Sequence, residues 1–189
     1  MNNPLVISLA GVAKAGKDNF YKLLADIYPG AVRLSIGDII RDDCESLILE
    51  KFGIDVFDAT PAQKEIIRPI LAGYGKAQQD ATGGKYFTDM LDRQIKSYST
   101  GNVYFVLTDC RYVNEVNWLR SKDDNALVHI TRLDKNGKAI KPANEYEANG
   151  DTILKNMANY AITWHTNDDH GYQNSFVVNF YSWLKNRKN

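Results

Sequence analysis

The chain has 189 residues, 44% of them hydrophobic and 24% charged, and its 23 basic side chains balance its 23 acidic ones. This composition is typical of a globular domain with a full core, and the neutral balance argues against a strongly basic nucleic-acid-binding protein. The apolar run at residues 5–10 is too short to span a membrane, so we expect a cytoplasmic protein with no membrane partner. In that compartment we expect Cys44 and Cys110 to be reduced thiols.

Hydrophobic patterns along the chain predict strands that alternate with helices. Unbroken apolar runs indicate buried parallel strands, and apolar residues at helical spacing indicate amphipathic helices. The predicted strands are 5–9, 31–36, 103–108, 126–131 and 160–165, and the predicted helices are 18–27, 37–52, 62–81, 86–98, 114–120 and 175–186. We expect Pro69 to kink or restart the third helix. Residues 134–151 are polar and suit a flap, followed by a short helix at 152–157. The alternation predicts an α/β fold built on a parallel sheet flanked by helices.

A glycine-rich segment joins the first predicted strand to the first predicted helix. Gly11, Gly16 and Lys17 have the spacing G-x-x-x-x-G-K of a P-loop, in which backbone N–H groups surround a phosphate and the lysine reaches its outer oxygens. The usual next residue is Ser or Thr, but here it is Asp18, which is either a Mg²⁺ ligand or a helix N-terminal charge. The candidate ATP-binding residues are Gly11, Ala13, Lys14, Ala15, Gly16, Lys17, Asp18 and Asn19.

A second segment, Ser35-Ile36-Gly37-Asp38-Ile39-Ile40-Arg41, opens the second predicted helix. It resembles the S-x-G-D-x-x-R segment of adenylate kinases and their relatives, in which the arginine holds the phosphate of the acceptor monophosphate. The planar guanidinium suits this task, because it meets two phosphate oxygens at once and stays charged. The alternative is an ordinary capped helix with Arg41 on its solvated face.

Asp109-Cys110-Arg111 follows the most apolar of the later strands. Ligands of α/β sheets bind at the carboxyl ends of the strands, so Asp109 has the position of a Walker-B-like acid near the phosphates and metal. Arg111 directs a cation to the same crevice. Asp18 and Asp109 are therefore the two candidate metal ligands.

The pairing of two motifs resembles one family, the deoxynucleoside monophosphate kinases encoded by tailed bacteriophages. That family combines a G-K-D P-loop with a later D-x-R-x-x-N-E segment, and this chain has Gly16-Lys17-Asp18 and the segment 109–115, ending in Asn114-Glu115. The chain departs from the family at Asn19, where Thr is usual. Asn19 can still bond a phosphate or a metal-bound water.

The resemblance implies a three-layer P-loop NTPase fold in a single domain, 1–189. Its core would be 4–36 and 100–189, with a helical monophosphate-binding insertion at 37–99 and a short lid at 132–151. Arg68 and Gln79 would contact the acceptor, unless they lie on a solvated helix face. Arg132 would cover the transferring phosphate, unless it is a strand-end arginine in solvent. Glu145 and Glu147 resemble the acidic cluster that the family places after its lid.

The function implied is transfer of the γ-phosphate of ATP, with Mg²⁺, to a (deoxy)nucleoside monophosphate. The catalytic candidates are Lys17, Asp109 and Arg132, and the acceptor candidates are Asp38, Arg41, Arg68, Gln79 and Arg111. One alternative is a P-loop kinase for a hydroxyl acceptor, with Asp38 as base. Another is a silent nucleotide-binding relative. We expect small-molecule nucleotides as partners, a host-cytoplasm location if the protein is phage-encoded, and possible homodimers.

Overall fold

The computed structural model describes residues 4–98, 103–142, 145–165 and 170–187, with backbone only at 146, 170 and 171. Its strands are β1 (Val6–Ala10), β2 (Ala31–Leu34), β3 (Tyr104–Leu107), β4 (Asn125–Leu133) and β5 (Tyr160–His165). Its helices are α1 (Lys17–Ile27), α2 (Ile36–Phe52), α3 (Pro61–Thr82), α4 (Lys85–Ser97), α5 (Val113–Arg120), α6 (Glu145–Met157) and α7 (His170–Asn186).

The five strands form one sheet in the order β2-β3-β1-β4-β5. β1 lies at its centre and pairs in parallel with β3 and β4, and β4 pairs in parallel with β5. Every residue of β1 and β3 is buried, which explains why both strands are unbroken apolar runs rather than alternating ones. The parallel α/β sheet expected from the sequence is therefore confirmed.

The chain divides into two compact units. The first comprises 1–33 and 99–189, and its apolar core includes Phe20, Leu24, Trp164 and Phe180. The second comprises 34–98, where α2 and α3 pack around Cys44, Ile48, Ile54 and Ile67, and α4 packs against both helices. Each unit therefore has a hydrophobic core of its own. Cys44 and Cys110 are both buried free thiols, as expected.

Helix α3 runs without a break through Pro69, so the expected restart is wrong. Pro69 is exposed, and the carbonyl four residues earlier can turn to water instead of bonding within the helix. The start of α3 follows the sequence signal closely. Thr60 Oγ1 accepts the Gln63 N–H at 3.3 Å, and Gln63 Oε1 accepts the Thr60 N–H at 2.8 Å, which makes a capping box.

The polar segment 134–151 contains more regular structure than a flap. Asp134 closes a turn by accepting the N–H groups of Asn136 and Lys138, and α6 begins at Glu145 rather than at residue 152. Glu145 and Glu147 lie in the first turn of α6, where acidic side chains interact favourably with the helix dipole. Residues 143 and 144 of the expected lid lie outside the described residues. Of the described helices, each is either too short or too polar to span a membrane.

Candidate functional site

The glycine loop between β1 and α1 has a backbone that only glycine accommodates at two positions. Gly11 has φ +135° and Gly16 has φ +97°, both in the region that side chains disfavour. A Cβ on Gly11 would lie 2.4 Å from the carbonyl oxygen of Ile130, and one on Gly16 would lie 2.5 Å from the Trp164 ring. The loop is thus held closely against β4 and β5.

Trp164 on β5 fixes the loop from one side. Its indole Nε1–H donates to the Ala15 carbonyl at 2.8 Å, and its ring, 2% exposed, packs near Phe20 of α1. The sequence indicated a core or interface tryptophan, and Trp164 is indeed in the core. The sequence did not indicate its contact with the loop, because nothing local links residue 164 to residue 15.

Lys17, the first residue of α1, folds back over the loop. Its ammonium Nζ donates to the carbonyls of Gly11 at 2.6 Å and Val12 at 3.0 Å. Burial lowers the pKa of Lys17, and the Arg111 guanidinium lowers it further. The carboxylates of Asp109, Glu147 and Asp18 oppose that shift. Lys17 and the two residues predicted at the end of β3, Asp109 and Arg111, therefore lie in one electrostatic neighbourhood.

The segment after β3 is ordered by a buried carboxylate. Cys110 N–H donates to the Leu9 carbonyl at 3.2 Å, which keeps this segment beside β1. Glu115, 2% exposed, accepts the N–H groups of Arg111 at 2.5 Å and Tyr112 at 3.0 Å. Burial raises the pKa of Glu115 to about 7, although those two hydrogen bonds favour its charged form. Glu115 therefore positions the backbone of the segment that follows β3, at Arg111 and Tyr112.

Asp18 and Asn19 follow the lysine on α1 and point to different partners. The Asp18 side chain is 75% exposed, and its carboxylate lies 3.8 Å from the Arg33 guanidinium. Asn19 Nδ2 donates to Gln173 Oε1 of α7 at 2.7 Å. Asn19 therefore ties α1 to α7, a role that explains a residue the sequence left open.

One residue of β4 and one residue of α6 also reach the loop. Arg132, at the end of β4, donates from Nη1 to the Lys14 carbonyl at 3.2 Å. Glu147 of α6 accepts the Ala13 N–H on Oε1 at 2.8 Å. The structure thus brings the predicted Arg132 to the glycine loop, together with Glu147, to which the sequence assigned no definite role.

In the second unit, Arg41 and Asp38 form an ion pair one turn into α2. Ser35 caps this helix by accepting the Asp38 N–H on its hydroxyl at 3.1 Å. The Arg41 guanidinium also lies over the Phe57 ring, 5.6 Å from its centroid, and its buried Nε has no hydrogen-bond partner among the described residues. The Arg41 guanidinium is therefore held in place by Asp38 and Phe57, while its Nε–H is not used in a hydrogen bond within the described part of the chain.

The other acceptor candidates of the second unit lie on α3. Arg68 is 69% exposed and pairs with Glu65 at 2.7 Å, one turn earlier on the same helix. Gln79 is half-buried. Their contact with an acceptor stays a prediction. The sequence did not indicate that the hydroxyls of Tyr74 and Tyr86 both donate to Asp43, which links α3 and α4 to α2.

Comparison with known proteins shows a similarity in fold to solved structures. No family model matches the chain, and no curated protein matches it. The structure of TT1252 from Thermus thermophilus is similar over 95% of this chain and 97% of that one, with a TM-score of 0.53 and 11% identity. Shikimate kinases from Acinetobacter baumannii and Bacteroides thetaiotaomicron reach TM-scores of 0.48 and 0.45 at 12% and 15% identity, too low for any inference. They cover 99% and 96% of this chain, and 96% and 98% of their own. At 11% identity this likeness shows the fold alone.

Proposed function

We propose that the protein is a small P-loop kinase that transfers the γ-phosphate of ATP to a nucleoside monophosphate, most readily a deoxynucleotide. The observation that carries this proposal is the set of groups around the glycine loop. The loop backbone is restricted to glycine at both ends, and Lys17 lies at the start of the helix that follows. Asp109 and Arg111, after the adjacent strand, lie in the electrostatic neighbourhood of Lys17. These are the groups that bind and neutralise a polyphosphate.

The loop binds the phosphates of ATP through its backbone. N–H groups at the start of α1 lack partners within the helix and carry its positive dipole end, so they favour an anion. Lys17 is already directed to the loop, with its ammonium on two loop carbonyls. When a phosphate binds, the ammonium exchanges those neutral acceptors for anionic oxygens, which are stronger partners.

Asp18 and Asp109 would hold Mg²⁺ with the nucleotide. Their carboxylate oxygens suit this ion, which in kinases takes one or two carboxylates and completes its shell with phosphate oxygens and water. Among the described residues, no group of three or more histidine, cysteine or acidic side chains is placed to hold a metal ion by itself. When bound, the ion neutralises charge on the β- and γ-phosphates.

Arg41 is the proposed anchor of the acceptor phosphate. Its pairing with Asp38 and its position over Phe57 fix the guanidinium plane. A fixed planar donor recognises a phosphate at a smaller entropic cost than a flexible lysine does. The acceptor needs no strong base, because its attacking oxygen is already anionic.

Arg132 supplies positive charge during transfer. It already lies at the glycine loop through its bond to the Lys14 carbonyl. Because charge accumulates on the outer oxygens of the transferring phosphoryl group, an arginine that turns from this carbonyl to those oxygens stabilises the transition state. The turn and helix that follow β4 would then shield the reaction from water.

A second candidate is a P-loop kinase with a hydroxyl acceptor. The observation in its favour is the same ion pair, since Asp38 places a carboxylate beside a cation and could accept the proton of a hydroxyl. The two candidates differ in the acceptor and in whether Asp38 acts as a base.

A coupled assay of ADP release separates them. The protein is incubated with Mg-ATP and a panel of deoxy- and ribonucleoside monophosphates, and in parallel with small hydroxyl compounds. Turnover with any monophosphate above the rate of ATP hydrolysis supports the first candidate. Turnover with hydroxyl acceptors alone supports the second, and ATP binding with no turnover supports a silent relative.

A further inference from the structure

The first turn of α6 places a carboxylate where the glycine loop would bind a phosphate. Glu147 Oε1 accepts the Ala13 N–H at 2.8 Å, across 134 positions of sequence. Its charge also acts on Lys17, whose pKa it raises against the effect of burial. An oxygen anion that takes a loop N–H and lies close to the P-loop lysine satisfies the groups that a phosphate oxygen would satisfy.

The position of Glu147 is enforced by the rest of α6. Asp151, one helical turn later, lies 3.0 Å from Nε2 of His129, which is 2% exposed on β4. Leu154, a further turn on, is buried at 2%. The helix packs against α5, β1 and β4. Because residues four apart share a helix face, the contacts of Asp151 and Leu154 with the core also orient Glu147 toward the loop.

Glu147 and a nucleotide cannot use the same groups together. Two anions at one N–H and one ammonium repel each other, and the phosphate has more negative charge than the carboxylate. We infer that Glu147 is an intramolecular competitor of the nucleotide polyphosphate, so that α6 closes the glycine loop until a di- or triphosphate displaces the carboxylate. This inference depends on the proposed function, because it needs a nucleotide at the loop.

The device has a physical use in a kinase. A loop with a lysine and several free N–H groups would bind any small phosphate, including the acceptor or inorganic phosphate. A resident carboxylate subtracts a constant free energy from every ligand, so only ligands with several phosphate contacts retain useful affinity. The ratio of affinities is unchanged, but single phosphates, which make the fewest contacts, then bind too weakly to occupy the loop.

The test is the binding of ADP measured by calorimetry, with no acceptor and no turnover. Glu147→Gln keeps the size of the side chain and removes its charge, and we expect the dissociation constant of ADP to fall about tenfold, the size expected for a hydrogen bond with a charged group. Glu145→Gln is the matched control, because it removes the same charge from an exposed position on the same turn. It should leave the constant within about twofold of the wild type.

The outcomes separate the two hypotheses. If Glu147→Gln binds ADP no more tightly than the wild type, Glu147 is a structural contact and the inference is wrong. If the wild type and Glu147→Gln bind ADP equally and Lys17→Ala does not bind it, the inference about Glu147 fails but the proposed function stands. If no variant binds ADP, the proposed function and the inference both fail. Glu147→Asp, which keeps the charge on a shorter stem, should give an intermediate constant and replaces Glu147→Gln if that variant does not fold.

Discussion

The two units of this protein hold their charged side chains in different ways. Around the glycine loop, partners come from distant segments: Arg132 bonds Lys14, Glu147 bonds Ala13, and Trp164 bonds Ala15. On α3 of the second unit, charged residues pair one turn away on the same helix and stay exposed, as in Arg68 with Glu65 and Lys76 with Asp80. Exposed pairs of that kind contribute little to stability, because water screens them. The difference shows that tertiary contacts restrain the polar groups at the glycine loop, whereas those on α3 have only neighbours on their own helix.

Arg41 is the exception in the second unit. It too pairs within its helix, with Asp38, but it is only 33% exposed and rests on Phe57. Because it is partly buried and restrained by a second residue, Arg41 resembles the residues around the glycine loop rather than Arg68. The predictions below test that division, from the largest expected effect to the smallest.

The largest effect is expected for Lys17→Ala. Removing the ammonium from the loop should lower kcat/KM for ATP by roughly 10²–10³-fold, because it neutralises charge that the transition state develops. The protein should remain folded, since the Lys17 bonds to loop carbonyls are not part of the core. The measurement is steady-state kinetics at varied concentrations of ATP. Circular dichroism of the variant checks that it is folded.

Lys22→Ala is the control for this variant, an exposed lysine on the same helix. Its kinetics should match the wild type. Activity retained in Lys17→Ala would sink the assignment of the loop as a nucleotide site.

The same substitution at two glycines should have opposite signs in the two units. Gly16→Ala places a Cβ 2.5 Å from Trp164 at φ +97°, and we expect it to lower the free energy of unfolding by about 3 kcal/mol. Gly73→Ala, in α3, meets nothing within 4 Å and should raise that free energy by roughly 0.5–1 kcal/mol, because alanine favours the helix.

Urea denaturation measures both changes. If Gly16→Ala has the same free energy of unfolding as the wild type, the loop does not pack closely against Trp164 of β5.

Arg41→Ala should weaken the acceptor rather than ATP. We expect KM for the monophosphate to rise roughly 10–100-fold, the loss of a charged hydrogen bond, while KM for ATP changes less than about twofold. Initial rates with each substrate varied in turn give both constants.

Arg93→Ala, an exposed arginine on α4 of the same unit, is the matched control and should change neither constant. Equal increases for both substrates in Arg41→Ala would show that Arg41 is not at the acceptor site.

The smallest effect is expected for Asn19→Ala. It removes a hydrogen bond to Gln173, so the free energy of unfolding should fall by about 1 kcal/mol with little change in ADP affinity. A double-mutant cycle with Gln173→Ala isolates the pair, because the coupling disappears if the two side chains do not interact. A large loss of ADP affinity in Asn19→Ala would instead make it a phosphate ligand.

Local patterns in the sequence predicted the elements well. Apolar runs predicted the strands, since burial on both faces excludes polar residues, and Thr60 with Gln63 marked the start of α3. Glycine spacing and Lys17 predicted the loop, because those groups are close in sequence. Asp109 and Arg111 could be placed near it, because neighbouring parallel strands end at one edge.

Other features depended on contacts that sequence periodicity does not record. Pro69 was expected to kink or restart α3, yet the helix continues through it, because its exposed backbone can bond to water. The early start of α6 was missed because the polar residues around Gly150 resemble a loop.

By itself, the sequence determined an α/β fold with a glycine loop between its first strand and first helix, since both depend on local spacing and burial. Only the tertiary structure decided which groups meet that loop. Trp164, Arg132 and Glu147 lie more than a hundred positions from it, and parallel strand order and helix packing bring them together. The same structure gave Asn19 a partner on α7, because helix packing, not sequence, placed Gln173 beside it.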